Sequence, residues 1–171
     1  LFQKKQNETF ALPSCSDGFF EKYLDVFDSV HVLGEAPHEY LDTNSFVQMK
    51  NPRITVSNLP ANTHPKDFKN DSAVRKALRD EIEKADAVLI KPATRKGIMA
   101  IKIAERLKKP YMIEMTGDIH NALKQNPSIL KRMYAPILYS KIKRAIKNAP
   151  YGLYVSKDYL QSQFPINGKM C

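Results

Sequence analysis

Two short polar clusters carry most of the chemistry that this sequence offers. Thr94-Arg95-Lys96 precedes Gly97, which opens an amphipathic segment, and Thr116-Gly117-Asp118 follows an apolar run. Unpaired N–H groups at a helix start favour anions, so Arg95, Lys96 and the amides around Gly97 could hold a phosphate or a sugar hydroxyl. The same residues serve equally well as ordinary loop charges. Asp118 could take a proton from a nucleophilic hydroxyl or hydrogen-bond a polyol. Gly117 would let the backbone turn sharply before it. As an N-cap for Ile119–Lys124, Asp118 would need no ligand at all.

The elements that must position these clusters are readable around them. Ala87–Ile90 reads as a buried strand stopped by Lys91-Pro92. Ile98, Ile101, Ala104 and Leu107 fall on one helical stripe, Lys108-Lys109-Pro110 ends it, and Tyr111–Met115 is a second strand. Strand, helix and strand at this spacing predict a βαβ unit with parallel strands. Ligands in such sheets collect beyond the carboxyl ends of the strands, which sets both clusters on one edge.

Upstream, Asp17 is the expected N-cap of a helix over Gly18–Val26, followed by strands at Ser29–Leu33 and Arg53–Leu59. Leu1-Phe2 reads as the tail of a strand and Gln3–Thr9 as loop. Residues 35–52 read as loop with a marginal strand at Ser45–Met49, and Ala61–Lys69 as a second loop. A helix from Asp71 or Ser72 to Lys84 turns Val74, Leu78 and Ile82 inward. Downstream, Asn126-Pro127 breaks a short helix, Ser128 caps a longer one to Asn148, and Pro136 should kink or restart it. Tyr151–Val155 is the last strand, and Ser156 caps a final helix to Gln163. This alternation predicts a doubly wound, mostly parallel Rossmann-like α/β sheet with helices on both faces.

Several function classes lack their signatures. There is no G-x-G-x-x-G, no P-loop and no G-x-S-x-G elbow, so a self-contained dinucleotide, P-loop or serine-hydrolase site is not expected. Cys15 and Cys171 have no metal-ligand spacing and predict reduced thiols in a cytoplasmic protein, with no metal site. No apolar run is long enough to span a bilayer. The chain opens on Leu1 rather than methionine and reads as a piece of something longer.

The net charge of +9 is unevenly spread. Residues 1–50 hold eight acids against four Lys/Arg, whereas no acid occurs between Asp118 and Asp158. That interval contains Lys124, Lys131, Arg132, Lys141, Lys143, Arg144, Lys147 and Lys157. A one-signed stretch suits phosphates, nucleic acid or an anionic membrane surface. The missing aromatic interleaving weighs against nucleic acid. A basic amphipathic surface over 124–147 suits peripheral attachment at the inner membrane face. The plainest reading is a solvated face.

Three segments in order, FFEKYLDVFDSVHVLGE, ADAVLIKPATRKGIMAIKIAERLKKPYMIEMTGD and NAPYGLYVSKDYLQSQFP, resemble the N-terminal half of GT-B retaining glycosyltransferases of the family 4-like group. The resemblance covers most of Asp17–Pro165 and rests on the succession of loose strand patterns. It implies that residues 1–171 form a single Rossmann-like acceptor-side domain, truncated at both ends and lacking the donor-binding C-terminal domain. The acceptor would be a glycan or lipid-linked sugar, as in polysaccharide biosynthesis. The donor would be a nucleotide sugar held by the missing domain, no metal would be needed, and this chain alone would be inactive. Ser16-Asp17-Gly18 stands where members of the family have a Gly-rich turn, which makes Asp17 and Gly18 site candidates beside Arg95, Lys96, Gly97, Thr116 and Gly117. Many members have a histidine where this chain has Gly117-Asp118, so a catalytic role would fall to Asp118. A non-catalytic nucleotide- or nucleic-acid-binding α/β module is the other reading.

Overall fold

The computed structural model describes residues 2–5, 8–35, 44–61, 65–125 and 128–171. The expected loop between 36 and 43, residues 62–64 of the second loop and the helix break at Asn126-Pro127 lie outside the described residues. The architecture is mixed α/β, and the chain divides into two compact units, Leu1–Ala61 and Asn62–Cys171.

In the first unit, strands β1 (Phe2–Lys5), β2 (Glu8–Ala11) and β4 (Val47–Met49) form an antiparallel sheet in the order β1-β2-β4. The stretch expected as loop up to Thr9 is thus a hairpin, with Phe2 opposite Ala11. Its polar residues hid it, because Phe2 and Ala11 at the far end carry the burial. Between β2 and β4 in sequence lie helix α1 (Asp17–Leu24) and strand β3 (Val30–Glu35), and β3 pairs in parallel with β5 (Ile54–Leu59). β3 runs on through Gly34, past Leu33, where the strand was expected to end. A Cβ at Gly34 would overlap the Phe2 ring, so the glycine lets that ring lie against the strand. Phe2, Ala11, Phe20, Ile54 and Val56 form this unit's core, with Phe19, Tyr23 and Val32 packed against it. Arg53 ties the end of α1 to the sheet: its guanidinium donates to the carbonyls of Leu24, Phe27 and Asp28.

The second unit is built on a four-stranded parallel sheet in the order β6-β7-β8-β9. Helix α2 (Asp71–Lys84) buries Val74, Leu78 and Ile82 as their spacing dictates. β6 (Val88–Ile90), α3 (Arg95–Leu107) and β7 (Tyr111–Met115) are the expected βαβ unit, and Ile90 pairs with Ile113. Lys108 ends α3 in the left-handed conformation, at φ 53°. α4 (Ile119–Lys124) and α5 (Ile129–Ile146) follow; α5 is continuous through Pro136, whose ring is exposed, so the carbonyl it fails to bond can turn to water. β8 (Tyr151–Tyr154), α6 (Asp158–Gln163) and the two-residue β9 (Lys169–Met170) complete the unit. β9 is too short and too exposed to show in the sequence. Strand order here never reverses, so among the described residues this sheet contains no switch point of a doubly wound fold.

Two buried tyrosines make the second unit sensitive to alkali. Burial pushes the Tyr154 phenol up to about 12, and its Oη donates to the Phe164 carbonyl at 2.7 Å. Burial, then the Glu105 carboxylate, raises Tyr111 as well. A phenol raised in the folded state holds its proton after the unfolded chain has lost it. Its stabilisation is complete below the ordinary value near 10 and fades as pH rises towards about 12. Urea unfolding across that window should show falling stability, with a flatter decline in Tyr111→Phe/Tyr154→Phe. An equally steep decline in the double variant would assign the effect to other groups.

Candidate functional site

Beyond β6 the chain turns at Lys91-Pro92 and enters α3 through a side-chain cap. Thr94 is extended, and its Oγ1 accepts from the Gly97 amide at 3.0 Å. The helix therefore begins at Arg95, two residues before the glycine expected to open it. One of the amides expected to face an anion is satisfied by this cap. Gly97 has a packing reason: a Cβ there would overlap the Lys91 carbonyl oxygen and lie 2.8 Å from Pro92 Cα.

The cations of this turn are engaged. Arg95 Nη2 pairs with Asp71 Oδ2 at the start of α2, and the guanidinium lies 3.7 Å above the Phe68 ring centroid. Its charge is thus matched by a carboxylate and an aromatic face. Lys96 is buried within α3. These contacts fasten the first turns of α2 and α3 to each other.

Beyond β7, Thr116 and Gly117 are exposed and Asp118 is half-buried. Gly117 has no positive φ, and a Cβ on it would meet nothing within 4 Å. The chain does bend at Gly117, but in a conformation open to other residues, and open space lies over it. Asp118 Oδ1 accepts from the Asn121 amide at 3.2 Å, the capping contact the sequence allowed. Its Oδ2 accepts from Tyr159 Oη at 2.6 Å, and the same phenol accepts from Asn121 Nδ2 at 2.7 Å. A carboxylate, an amide and a phenol thus close a small polar cluster at the carboxyl end of β7.

Tyr159 and Asn121 were not singled out by the sequence. Tyr159 lies 41 residues from Asp118, on a helix whose pattern gives no hint of that contact. Glu114 is another omission: it is only 3% exposed on β7, 3.7 Å from Lys91 Nζ on the neighbouring strand's exit. A carboxylate inside an apolar strand was the available signal, since such a group is buried only with partners. Lys91, Arg95–Gly97, Glu114 and Thr116–Asp118 therefore share the carboxyl edge of one sheet.

Asp17 and Gly18 belong to the other unit. Ser16, not Asp17, holds the N-cap position, and Ser16 Oγ donates to the Pro13 carbonyl. Asp17 Oδ2 instead accepts the amides of Lys50 (2.7 Å) and Asn51 (3.1 Å), fixing the exit of β4. Gly18 is exposed with no steric demand for glycine. An open cleft of about 520 Å³ lies in the same unit, lined by Lys4, Thr9, Gln48, Lys50, Asn51 and Thr55 among others. Among the described residues, no three His, Cys, Asp or Glu side chains are grouped to hold a metal ion. No helix among them is long and apolar enough to cross a membrane.

The Asp118 contact raises the Tyr159 phenol above its ordinary value, because its proton bridges to the carboxylate; Asn121 opposes the shift. Asp118→Asn should therefore let Tyr159 ionise at lower pH. Titration of ring-labelled tyrosine by NMR would read this; an unmoved resonance would mean that the bridge does not form.

No family model matches the chain, and no solved structure matches it. The chain is 28% identical over 170 residues to protein CapJ of Staphylococcus aureus, an alignment that takes in 97% of this chain and 42% of CapJ. The chain thus spans less than half the length of this curated relative.

Proposed function

We propose that this chain is the acceptor-binding half of a retaining GT-B glycosyltransferase. The longer protein would move a sugar from a nucleotide sugar to a glycan or lipid-linked acceptor in polysaccharide synthesis. The observation that carries this reading is the Asp118–Asn121–Tyr159 cluster beyond β7. A carboxylate, an amide and a phenol on an exposed strand-end edge are groups that hydrogen-bond sugar hydroxyls, and an aromatic ring offers an apolar face to a pyranose. The similarity to CapJ over nearly the whole chain and the exclusion of a P-loop or dinucleotide motif support it.

In this reading Asp118 receives the hydrogen bond, and in transfer the proton, of the acceptor hydroxyl. Thr116 and the open space over Gly117 take the neighbouring ring. Arg95, Lys96 and Gly97 hold the adjoining turn in place.

Calorimetric titration of the chain with short oligosaccharide acceptors and with a panel of nucleotide sugars tests the assignment. Acceptor binding that is lost in Asp118→Ala, without nucleotide-sugar binding, is the expected result. The longer protein should transfer sugar and the 171-residue chain should not. Nucleotide-sugar binding without acceptor binding would sink the reading. The basic interval favours one alternative, a nucleic-acid-binding module, which steep salt-dependent binding to duplex or single strands would reveal.

A further inference from the structure

Helix α5 has two apolar sides. Ala135, Leu138, Ile142 and Ile146 are buried, as a helix packed on its own unit requires. Yet Ile129, Met133 and Ile137 are 65%, 69% and 52% exposed. At roughly 100° per residue these three fall within about 80° of one another, opposite the buried set. Ser140, Arg144 and Lys147 continue the same face toward the helix end, Lys141 borders it, and all four are exposed. The outward face is therefore aliphatic over its first half and cationic over its second, along roughly 27 Å.

We infer that this face docks on an anionic lipid surface. Ile129, Met133 and Ile137 enter the interfacial layer, and Lys141, Arg144 and Lys147 meet the headgroup phosphates. Charge complementarity selects this occupant. No acid lies between Asp118 and Asp158. A second copy laid on the same face would bring cations against cations in a chain of net charge +9. Nucleic acid would satisfy the cations but leave three aliphatic side chains against water or phosphate. A membrane interface offers an apolar layer beside a sheet of anions.

The docking also has a direction. α5 follows β7 and α4 in the connection that leaves the carboxyl end of β7, so its aliphatic half starts toward the edge where the polar cluster lies. Resting on the proposed acceptor role, this orientation would bring that edge to the surface from which a lipid-linked sugar is presented. The docking itself does not depend on that role.

Flotation of the 171-residue chain with vesicles of phosphatidylcholine alone, or of phosphatidylcholine and phosphatidylglycerol in equal parts, tests the inference across a salt series. The chain should float with the anionic vesicles and not with the neutral ones. Lys141→Ala/Arg144→Ala/Lys147→Ala should weaken binding by roughly 100-fold at low salt, at about one headgroup contact per cation. Ile129→Ser/Met133→Ser/Ile137→Ser should remove the binding that survives high salt. All six positions are exposed, and unchanged thermal midpoints would show that the variants fold. Equal flotation of wild type and both variants, or none with anionic vesicles, would overturn the inference. So would self-association abolished by Met133→Ser, or duplex binding without vesicle binding. Titration of the same variants with a soluble oligosaccharide separates this outcome from failure of the acceptor role, since neither triple variant touches the polar cluster.

Discussion

Gly97→Ala is expected to cost the chain about 3 kcal/mol, seen as a fall in thermal midpoint of roughly 10 °C. The added Cβ would meet backbone, the Lys91 carbonyl and Pro92 Cα, rather than the flexible end of a side chain. Relief requires moving α3 away from the exit of β6. That would disturb both the Thr94 cap and the Arg95–Asp71 pair. Gly117→Ala is the matched control, because its Cβ would enter open space at an ordinary backbone conformation. Its midpoint should stay within about 0.5 kcal/mol of wild type. If Gly117→Ala nonetheless weakens acceptor binding, the open space is ligand space. A Gly97→Ala chain as stable as wild type would refute the tight approach of helix to turn.

Phe164→Ala should be more damaging still, with an expected loss of about 3–5 kcal/mol. Phe164 is fully buried, and its ring meets Tyr139 of α5 edge to face at 5.2 Å. Its carbonyl accepts the Tyr154 phenol, so the residue pins the end of α6 to both β8 and α5. Loss of the ring leaves a cavity and frees the helix that presents Tyr159 to Asp118. Two readouts should therefore move together: the urea midpoint, and the Tyr159 ionisation that reports its bridge to Asp118. A destabilised variant that keeps the raised Tyr159 phenol would show that α6 is positioned by something other than Phe164.

The sequence disclosed the parts of this molecule that are governed by local period. The apolar run before Lys91, the stripe through Ile101 and Ala104, and the Val74-Leu78-Ile82 spacing each placed an element within a few residues of where it lies. The hairpin of β1 and β2 escaped because its polar strands bury little beyond Phe2 and Ala11. β9 escaped because two residues carry no period.

The site was less legible, for a different reason. Thr94 could be read as a residue before a helix, but Arg95 finds Asp71 24 residues away and Asp118 finds Tyr159 41 residues away. Such pairings belong to tertiary packing, and no local spacing encodes them. By sequence alone Asp118 is either a cap or a polar ligand group. The structure gives it the cap through one oxygen and a phenol through the other, so the two readings compete for fewer atoms than the sequence implied.

The unbroken strand order of the larger sheet bears on how the chain acquires its structure. Each of β7, β8 and β9 is laid beside the strand synthesised just before it, so no strand must wait for a distant partner. Before each new ladder forms only the segment between neighbouring strands has to close, α3 for β6–β7 and α4 with α5 for β7–β8, which limits the loop-closure cost of each step. Emerging from the ribosome, this unit can grow from one end as a zipper does, with β6–α3–β7 as its first cooperative piece. Pulse-labelled hydrogen exchange during refolding should find the amides of Ile90 and Met112, which lie on the β6–β7 ladder, protected before that of Gly152. Simultaneous protection would mean instead that the sheet condenses as a whole.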